Sequence, residues 1–428
     1  MRLASCLLLS IAASVGMAQA QAQAQTPESD RKGSLFEGTE ITGSVRAGYW
    51  SSTRTLDDES HLGAGMFWIK AGRPASGSLR FFADGWLALR GPRGDADATG
   101  EAREAFLDLR LGQLDVRAGR QIIAWGRADG VNPTDNLTGE DLTLLTPDED
   151  DRRLGATAVR ATYFLGDVSI TALWVPEFRP HRLALPAPPQ DSTFSERSRR
   201  WPADQWAARL EQTGGAIDWS LSYFRGLDLT PDLSFQAASE GPGVIRLAHH
   251  RVEVLGGDMT LNAGRYGLRA EGAYVDTEDP SGDDPSVKNP FVFLVVGGDR
   301  TFREHLNLNL QYLYRFVLNH HPLNADASPP AAAVVIQQSI LSGQAKRTQH
   351  GASLRIAYKW FHETLEAECA AAGYVEPTGF TLRPKLVYAV SDRWKLSVGA
   401  EFFRGEDRAL FGLLRANSTV YVEARWNF

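Results

Sequence analysis

The chain has 428 residues, 43% of them hydrophobic, with 40 glycines and a formal net charge of −7. The acidic balance argues against a general nucleic-acid binder, and no apolar run reaches the length of a transmembrane helix. Ordinary hydrophobicity with plentiful glycine and 10% aromatic residues suits a transmembrane β-barrel, in which half of each strand faces water.

At the N-terminus, Arg2 precedes the apolar run Leu3 to Val15, and small residues follow through Ala24. This is the layout of a cleaved secretory signal with an A-x-A site ending at Ala20. Residues 1–20 are therefore expected to be a signal peptide, 21–40 a polar leader and 41–428 a single barrel. A leader this short is too small for a plug domain. Cys6 leaves with the signal, so Cys369 stands alone and no intramolecular disulfide is available.

From residue 41 onward, segments of roughly ten alternating residues repeat to the end. Ile217, Trp219, Leu221 and Tyr223 oppose Asp218, Ser220 and Ser222. Tyr266, Leu268, Ala270 and Tyr274 oppose Arg269 and Glu271, and Leu306 to Phe316 alternates without a break. Short turns fall at 111–113, 165–167, 213–215, 262–265, 360–362 and 391–393, most with the Gly, Asn or Asp that tight hairpins need. Between them lie long polar links at 51–63, 91–100, 124–152, 176–204, 226–247, 276–290, 317–345 and 404–417. Short periplasmic turns and long outer loops make the outer-membrane arrangement. The expected fold is all-β, a transmembrane antiparallel up-and-down barrel of about 18 strands (16–18) without a plug domain. Tyr and Trp at the ends of the apolar faces, such as Tyr49, Trp174, Tyr223, Trp360 and Trp394, suit a bilayer interface.

Gly119 to Thr138 opens the link at 124–152 and is dense in turn residues. Within it Trp125, Arg127, Asp129, Asn132 and Asp135 supply stacking and hydrogen-bonding groups. We expect this segment to fold into the barrel and narrow the pore; the blander reading is a latch whose charges pair with the wall. Pro147 to Asp151, followed by Arg152 and Arg153, lacks calcium-loop spacing and reads as a solvated acidic outer loop. His249–His250 and His320–His321 have no third ligand placed by the sequence, so neither a metal nor a cofactor is assigned. Ala331 to Leu341 reads as a short helix inside an outer loop, over the mouth or on the rim.

Expected inward positions carry both signs. Arg355, Lys359, Arg383, Lys385, Lys395 and Arg425 gather positive charge in the last strands, among Glu366, Glu368, Glu401 and Glu423. Two readings stay open: a basic ladder facing carboxylates that screens solutes by charge, or cross-strand pairs that satisfy one another.

The chain ends on a strand whose Val420, Val422, Ala424, Trp426 and Phe428 share one face. The ending at Trp426 and Phe428 resembles the C-terminal signal that Gram-negative outer-membrane barrels present to their assembly machinery. That resemblance implies a place in the cell outer membrane, with lipid, lipopolysaccharide and the barrel-assembly machinery as partners. Gly119-Arg-Gln with Trp125-Gly126, Asn132-Pro-Thr-Asp135, Trp174-Val-Pro176 and Gly405 to Gly412 together resemble a poorly characterised proteobacterial porin-like family. Membership would imply a barrel and transport without naming a substrate.

The function expected is a porin-like channel, monomeric or trimeric, passing small hydrophilic or amphipathic solutes. No Gly-x-Ser-x-Gly pattern is present, and no enzyme activity is expected. An exporter component for a polysaccharide or lipid-like substrate is the alternative; a rim-acting enzyme or adhesin is the second.

Overall fold

The computed structural model describes residues 38–54, 60–73, 78–91, 97–185, 188, 192–196, 201–238, 241–321 and 329–428. The expected signal peptide and nearly all of the leader lie outside the described residues. Eighteen strands form one closed antiparallel sheet. They span Glu40–Ser52, His61–Gly72, Leu79–Gly91, Asp97–Leu111, Leu114–Gln121, Ala156–Leu165, Val168–Phe178, Trp201–Gln212, Ile217–Leu227, Arg251–Ala263, Tyr266–Thr277, Phe291–Phe302, Leu306–Val317, Thr348–Trp360, Leu365–Tyr374, Gly379–Ala389, Trp394–Gly405 and Thr419–Asn427. Each pairs with its neighbours in sequence, and the first pairs with the last from Ser44 opposite Asn427 to Ser52 opposite Thr419. Closure leaves no sheet edge unpaired, as a strand in lipid requires because no water is there to satisfy its amides.

The alternation puts Leu87, Leu107, Leu221, Leu255, Val296, Leu310 and Val422 outward and exposed, a belt suited only to hydrocarbon. Tyr49, Trp174, Trp206, Tyr223 and Tyr274 fringe it toward the long-loop end; Tyr163, Tyr266, Trp360, Tyr388 and Trp394 fringe it toward the short-turn end. The opposite faces bury Arg46, Asp84, Asp258, Glu271, Asn309 and Gln311.

The tight turns fall at the six expected places, four of them with a glycine at positive φ, Gly112, Gly166, Gly214 and Gly264. A further one at Arg303 to His305 turns through Arg303 and Glu304 at φ 48 and 65 without glycine, so no turn residue betrayed it. At the opposite end one link, 375–378, is short rather than long.

The long loops are not independent. Ser192–Glu196 runs parallel to Gly243–Ala248, which pairs antiparallel with Asp232–Gln236. The expected helix, Pro329–Leu341, packs Val334 and Leu341 onto Leu233, Ile245 and Phe235 of this small sheet. Gln338 ties it down, accepting from the Leu233 amide at 2.6 Å and donating to Asp232.

The seam between first and last strands depends on close approach at Gly43, whose backbone exchanges hydrogen bonds with Phe428 at 2.9 and 3.0 Å. A Cβ there would meet the Trp68 carbonyl at 2.3 Å and the Phe428 ring at 2.7 Å. Gly43→Val is therefore expected to destabilise the barrel by about 1–3 kcal/mol. The measurement is the temperature at which the fast-migrating folded band is lost in an unheated gel series. An unchanged temperature would contradict the packing.

Candidate functional site

The chain leaves the wall at Gln121 and does not rejoin it until Ala156. The intervening residues turn inward and fill part of the lumen. The first half is seated by Glu271, 3% exposed in the middle of its strand. One carboxylate oxygen accepts the amides of Arg127 and Ala128 at 2.9 and 3.0 Å. The other accepts the Thr134 amide and hydroxyl at 2.9 and 2.8 Å. A buried carboxylate is tolerable only when so well satisfied. Gly126 makes the approach possible: its φ is +100, and a Cβ would lie 2.5 Å from Glu271.

Beside this clamp, Arg127 pairs with Asp258 at 2.6 Å and Glu211 at 2.7 Å. Arg209 reaches the same two carboxylates at 3.4 and 3.1 Å. Trp125 packs with Ile123 and Leu137 against Ala156, Ala158, Leu173, Val175, Ala207, Phe224, Val252, Val254, Ala273 and Val275 of the wall. A barrel this wide ordinarily holds a water channel. Here one side of it is a dry apolar core, with burial of an aromatic such as Trp125 contributing roughly 1.5–3 kcal/mol.

The second half crosses to the strands nearest the two termini. Leu144 packs with Trp68, Trp86 and Ala88, and Leu145 with Trp50, Leu62 and Tyr421. Arg46 pairs with Asp151 at 2.5 Å, Arg425 with Asp148 at 3.1 Å and Arg152 with Glu401 at 3.0 Å; Arg383 pairs with Glu149. Arg103 donates to the carbonyls of Asp150 and Arg153 while pairing with Asp84 at 3.0 Å. Arg46 and Arg103 both stack on Trp68, at 4.7 and 4.8 Å.

Between the two halves and the remaining wall lies a cavity of about 770 Å³. Of the residues expected to matter, Asp129, Asn132, Asp135, Arg355, Glu368, Arg383, Lys385, Glu401 and Arg425 line it. Asp129 accepts from Asn309 at 3.0 Å and lies 3.9 Å from Arg355, which also pairs with Glu368 at 2.5 Å. Trp125 and Arg127 do not line it; they anchor the loop. Lys359 turns to Glu363 at 3.0 Å near the short-turn end, where Glu366 is its register partner. Lys395 stands opposite Arg425, and Glu423 is buried in the wall opposite Gly48 and Ser397. Trp426 and Phe428 are at the seam, with ring centroids 5.4 Å apart.

One expectation is corrected: Pro147 to Asp151 is not an outer loop but lines the cavity, with Asp150 still exposed. Its proximity to two arginines, in the same link as the inward segment, was the signal available. Asp258 and Glu211 were not singled out, because a strand carboxylate looks the same in sequence whether it anchors a loop or meets water. The histidine pairs are occupied in the outer loops: His250 pairs with Asp232 at 2.8 Å, and His320 bonds the Gln344 carbonyl at 2.9 Å.

No protein-family model and no curated protein matches the chain. Solved structures do. The chain is similar to OccK5 (OpdH) of Pseudomonas aeruginosa, at 10% identity and TM-score 0.54, over 92% of this chain and 99% of that one. It is similar to OccAB3 of Acinetobacter baumannii, at 9% identity and TM-score 0.53, over 91% and 99%. OccD3 (OpdP) of P. aeruginosa gives 12% identity and TM-score 0.52, over 96% and 97%. At such identities the likeness is one of fold. Joined to the apolar belt and aromatic fringes, it makes this chain an eighteen-strand porin-like barrel of the Gram-negative outer membrane.

Two outcomes follow from the loop's anchors. Glu271→Gln turns an amide toward donors that need an acceptor, and each unsatisfied buried donor costs about 1–3 kcal/mol. The amide protons of Arg127, Ala128 and Thr134 should then exchange at least about tenfold faster; unchanged exchange would contradict the clamp. Asp135 pairs with Arg153 at 2.9 Å, yet burial, aided by Glu140, pushes its carboxyl from 3.8 up to about 6. The folded chain thus holds this proton more tightly than the unfolded chain. Its stabilising share is complete below the ordinary value and is lost as pH rises through 6, up to about 3 kcal/mol. Denaturation midpoints in detergent between pH 4 and 7 should lose that slope in Asp135→Asn; an identical slope would contradict the assignment.

Proposed function

We propose that the barrel is a passive channel for small hydrophilic solutes, its long loops facing out of the cell. Residues 122–155 narrow it to the space beside the strands between Leu306 and Asn427. The observation that carries this reading is the inward loop, fastened to the wall at both ends and flanked by a charge-lined cavity. A wide polymer exporter is disfavoured by the apolar core around Trp125, which takes up one side of the lumen.

The cavity opposes a basic wall, Arg355, Arg383, Lys385 and Arg425, to an acidic turn, Asp148 to Asp151. Among the described residues nine carboxylates line it against six Arg and Lys side chains, and an acidic excess favours cations. Each basic wall group already has a carboxylate partner, which leaves the remaining acids to set the sign.

Single-channel recording of the refolded protein in a planar bilayer with a salt gradient tests this. Stable openings with a cation-selective reversal potential are expected, moving toward anion selectivity in Asp150→Asn/Asp148→Asn. A correctly folded barrel that never conducts would overturn the channel, and anion selectivity in the unaltered protein would overturn the charge argument.

A further inference from the structure

The belt facing hydrocarbon is uneven. Most of it is built from large side chains, such as Leu310 and Tyr312 on Leu306–Val317 or Val420 and Val422 on Thr419–Asn427. Leu365–Tyr374 is different. Ile356 of the preceding strand points outward, and Cys369 is its register partner. Alternation then puts Ala367, Cys369, Ala371 and Gly373 outward as well. Larger residues stand on both sides: Leu354, Ile356 and Tyr358 before the strand, and Phe380, Leu382 and Leu386 after it. Pro384 and Ala400 carry the low floor onto the next two strands. Together they leave an apolar groove of about 500 Å³ in the outer surface of the wall. Water does not fill a groove at this depth, and an empty one would forfeit van der Waals contact along its length. The surrounding solvent there is hydrocarbon, so the occupant is an acyl chain.

Two arginines mark the outer end of this face. Arg404 is outward, since its register partner Phe380 is exposed there, and it donates to the Phe403 carbonyl at 2.9 Å. Arg347, just before Thr348–Trp360, stacks over Phe316 at 5.1 Å. Neither has a carboxylate within ion-pair reach among the described residues. Arg225, outward at the same end of another strand, is neutralised by Glu253 at 3.4 Å. Three interstrand steps separate the strands of Arg347 and Arg404, roughly 14 Å, and the groove descends between them. Depth agrees. Val398, at the groove's lower edge, is six residues from Arg404 on one strand. That is roughly 20 Å along a strand. At a tilt of about 45° it is roughly 14 Å in depth, close to half of a hydrocarbon layer of about 30 Å. A lipid with its headgroup at Arg404 therefore lays its chain along the groove within its own leaflet.

We propose that this face binds a phosphorylated glycolipid of the outer leaflet, one acyl chain in the groove and its phosphates on Arg347 and Arg404. A guanidinium matches a phosphate by charge and by the geometry of its fork. Cations without counter-charge at headgroup level are what an anionic lipid recognises. Two of them set apart suit a headgroup with two phosphates better than one with a single phosphate. The groove supplies the other half of the selection, since it accepts a chain and rejects a free anion.

The test is native mass spectrometry of the refolded full chain released from detergent, after titration with lipid A or with a phosphatidylcholine of matched chain length. Because the groove is outside the wall, the result does not depend on whether the barrel conducts. The unaltered barrel should retain one lipid A, at least tenfold more tightly than the phosphatidylcholine. Arg347→Gln/Arg404→Gln should weaken retention at least tenfold, whereas Arg225→Gln should leave it unchanged. Cys369→Phe raises the floor with both arginines in place and should also weaken it at least tenfold. Should that variant not give the folded band, Ala367→Leu makes the same test. Excess inorganic phosphate should not displace the lipid. Equal retention of the two lipids, unchanged retention in either set of variants, or displacement by phosphate alone would each overturn the site. So would a lipid-free oligomer that Cys369→Phe dissociates, which would put a second copy of the chain in the groove.

Discussion

A single buried carboxylate decides what kind of barrel this is. Glu271 is in the middle of a strand, facing a lumen that would otherwise hydrate it, and four donors from the inward loop converge on its two oxygens. A charged group in a dry surrounding is stable only if fully satisfied, so the clamp and the apolar core beside it require one another. The core keeps water from competing for Glu271, and the clamp holds Trp125 where it can cover the wall. Gly126 is the residue without which neither could form, because any side chain there would collide with the carboxylate.

Once the first half of the loop is fixed, the rest of the interior follows. The second half runs out to the strands nearest the two termini before returning to Ala156, the register partner of Gln121, and it carries Asp148 to Arg153 along its path. Those charges meet opposite charges on the far strands, so the loop is tied to opposite sides of the barrel. On both sides apolar packing stands beside ion pairs: Trp125 beside Arg127 and Asp258 on one, Leu144 and Leu145 beside Arg46 and Asp151 on the other. The lumen is thereby divided into a larger charge-lined cavity and a smaller chamber, which differ in volume and in lining residues. Arg315 lines the second, bonded to the Ser342 carbonyl and stacked on Phe291, whereas Arg355, Arg383 and Arg425 of the first each hold a carboxylate.

The barrel was legible because its grammar is periodic. Alternation in strands such as Leu306–Val317 and the glycines at Gly112, Gly166, Gly214 and Gly264, all at positive φ, mark strands and turns locally. The turn at Arg303 to His305 escaped because left-handed arginine and glutamate carry no such mark. Within the loop, the segment from Trp125 to Asp135 was legible as ordered, since its glycines and proline restrict the backbone. Its division of labour was not: Trp125 and Arg127 anchor it, while Asp129, Asn132 and Asp135 face the cavity. The acidic turn was assigned to the outside because a run of carboxylates looks solvated until a basic wall is brought opposite it. That wall is more than two hundred residues away in sequence and arrives only through closure of the sheet.

The central claim is that the loop, and not the barrel wall, sets the size of the passage. It is tested most directly by single-channel conductance of the unaltered protein beside a variant in which residues 124–152 are replaced by a short polar turn, both first shown to give the folded band. The account predicts a larger unitary conductance in the shortened barrel, since removing the clamp and its core opens the filled side of the lumen. An unchanged conductance would contradict it and would mean that ions pass by a route the loop does not border.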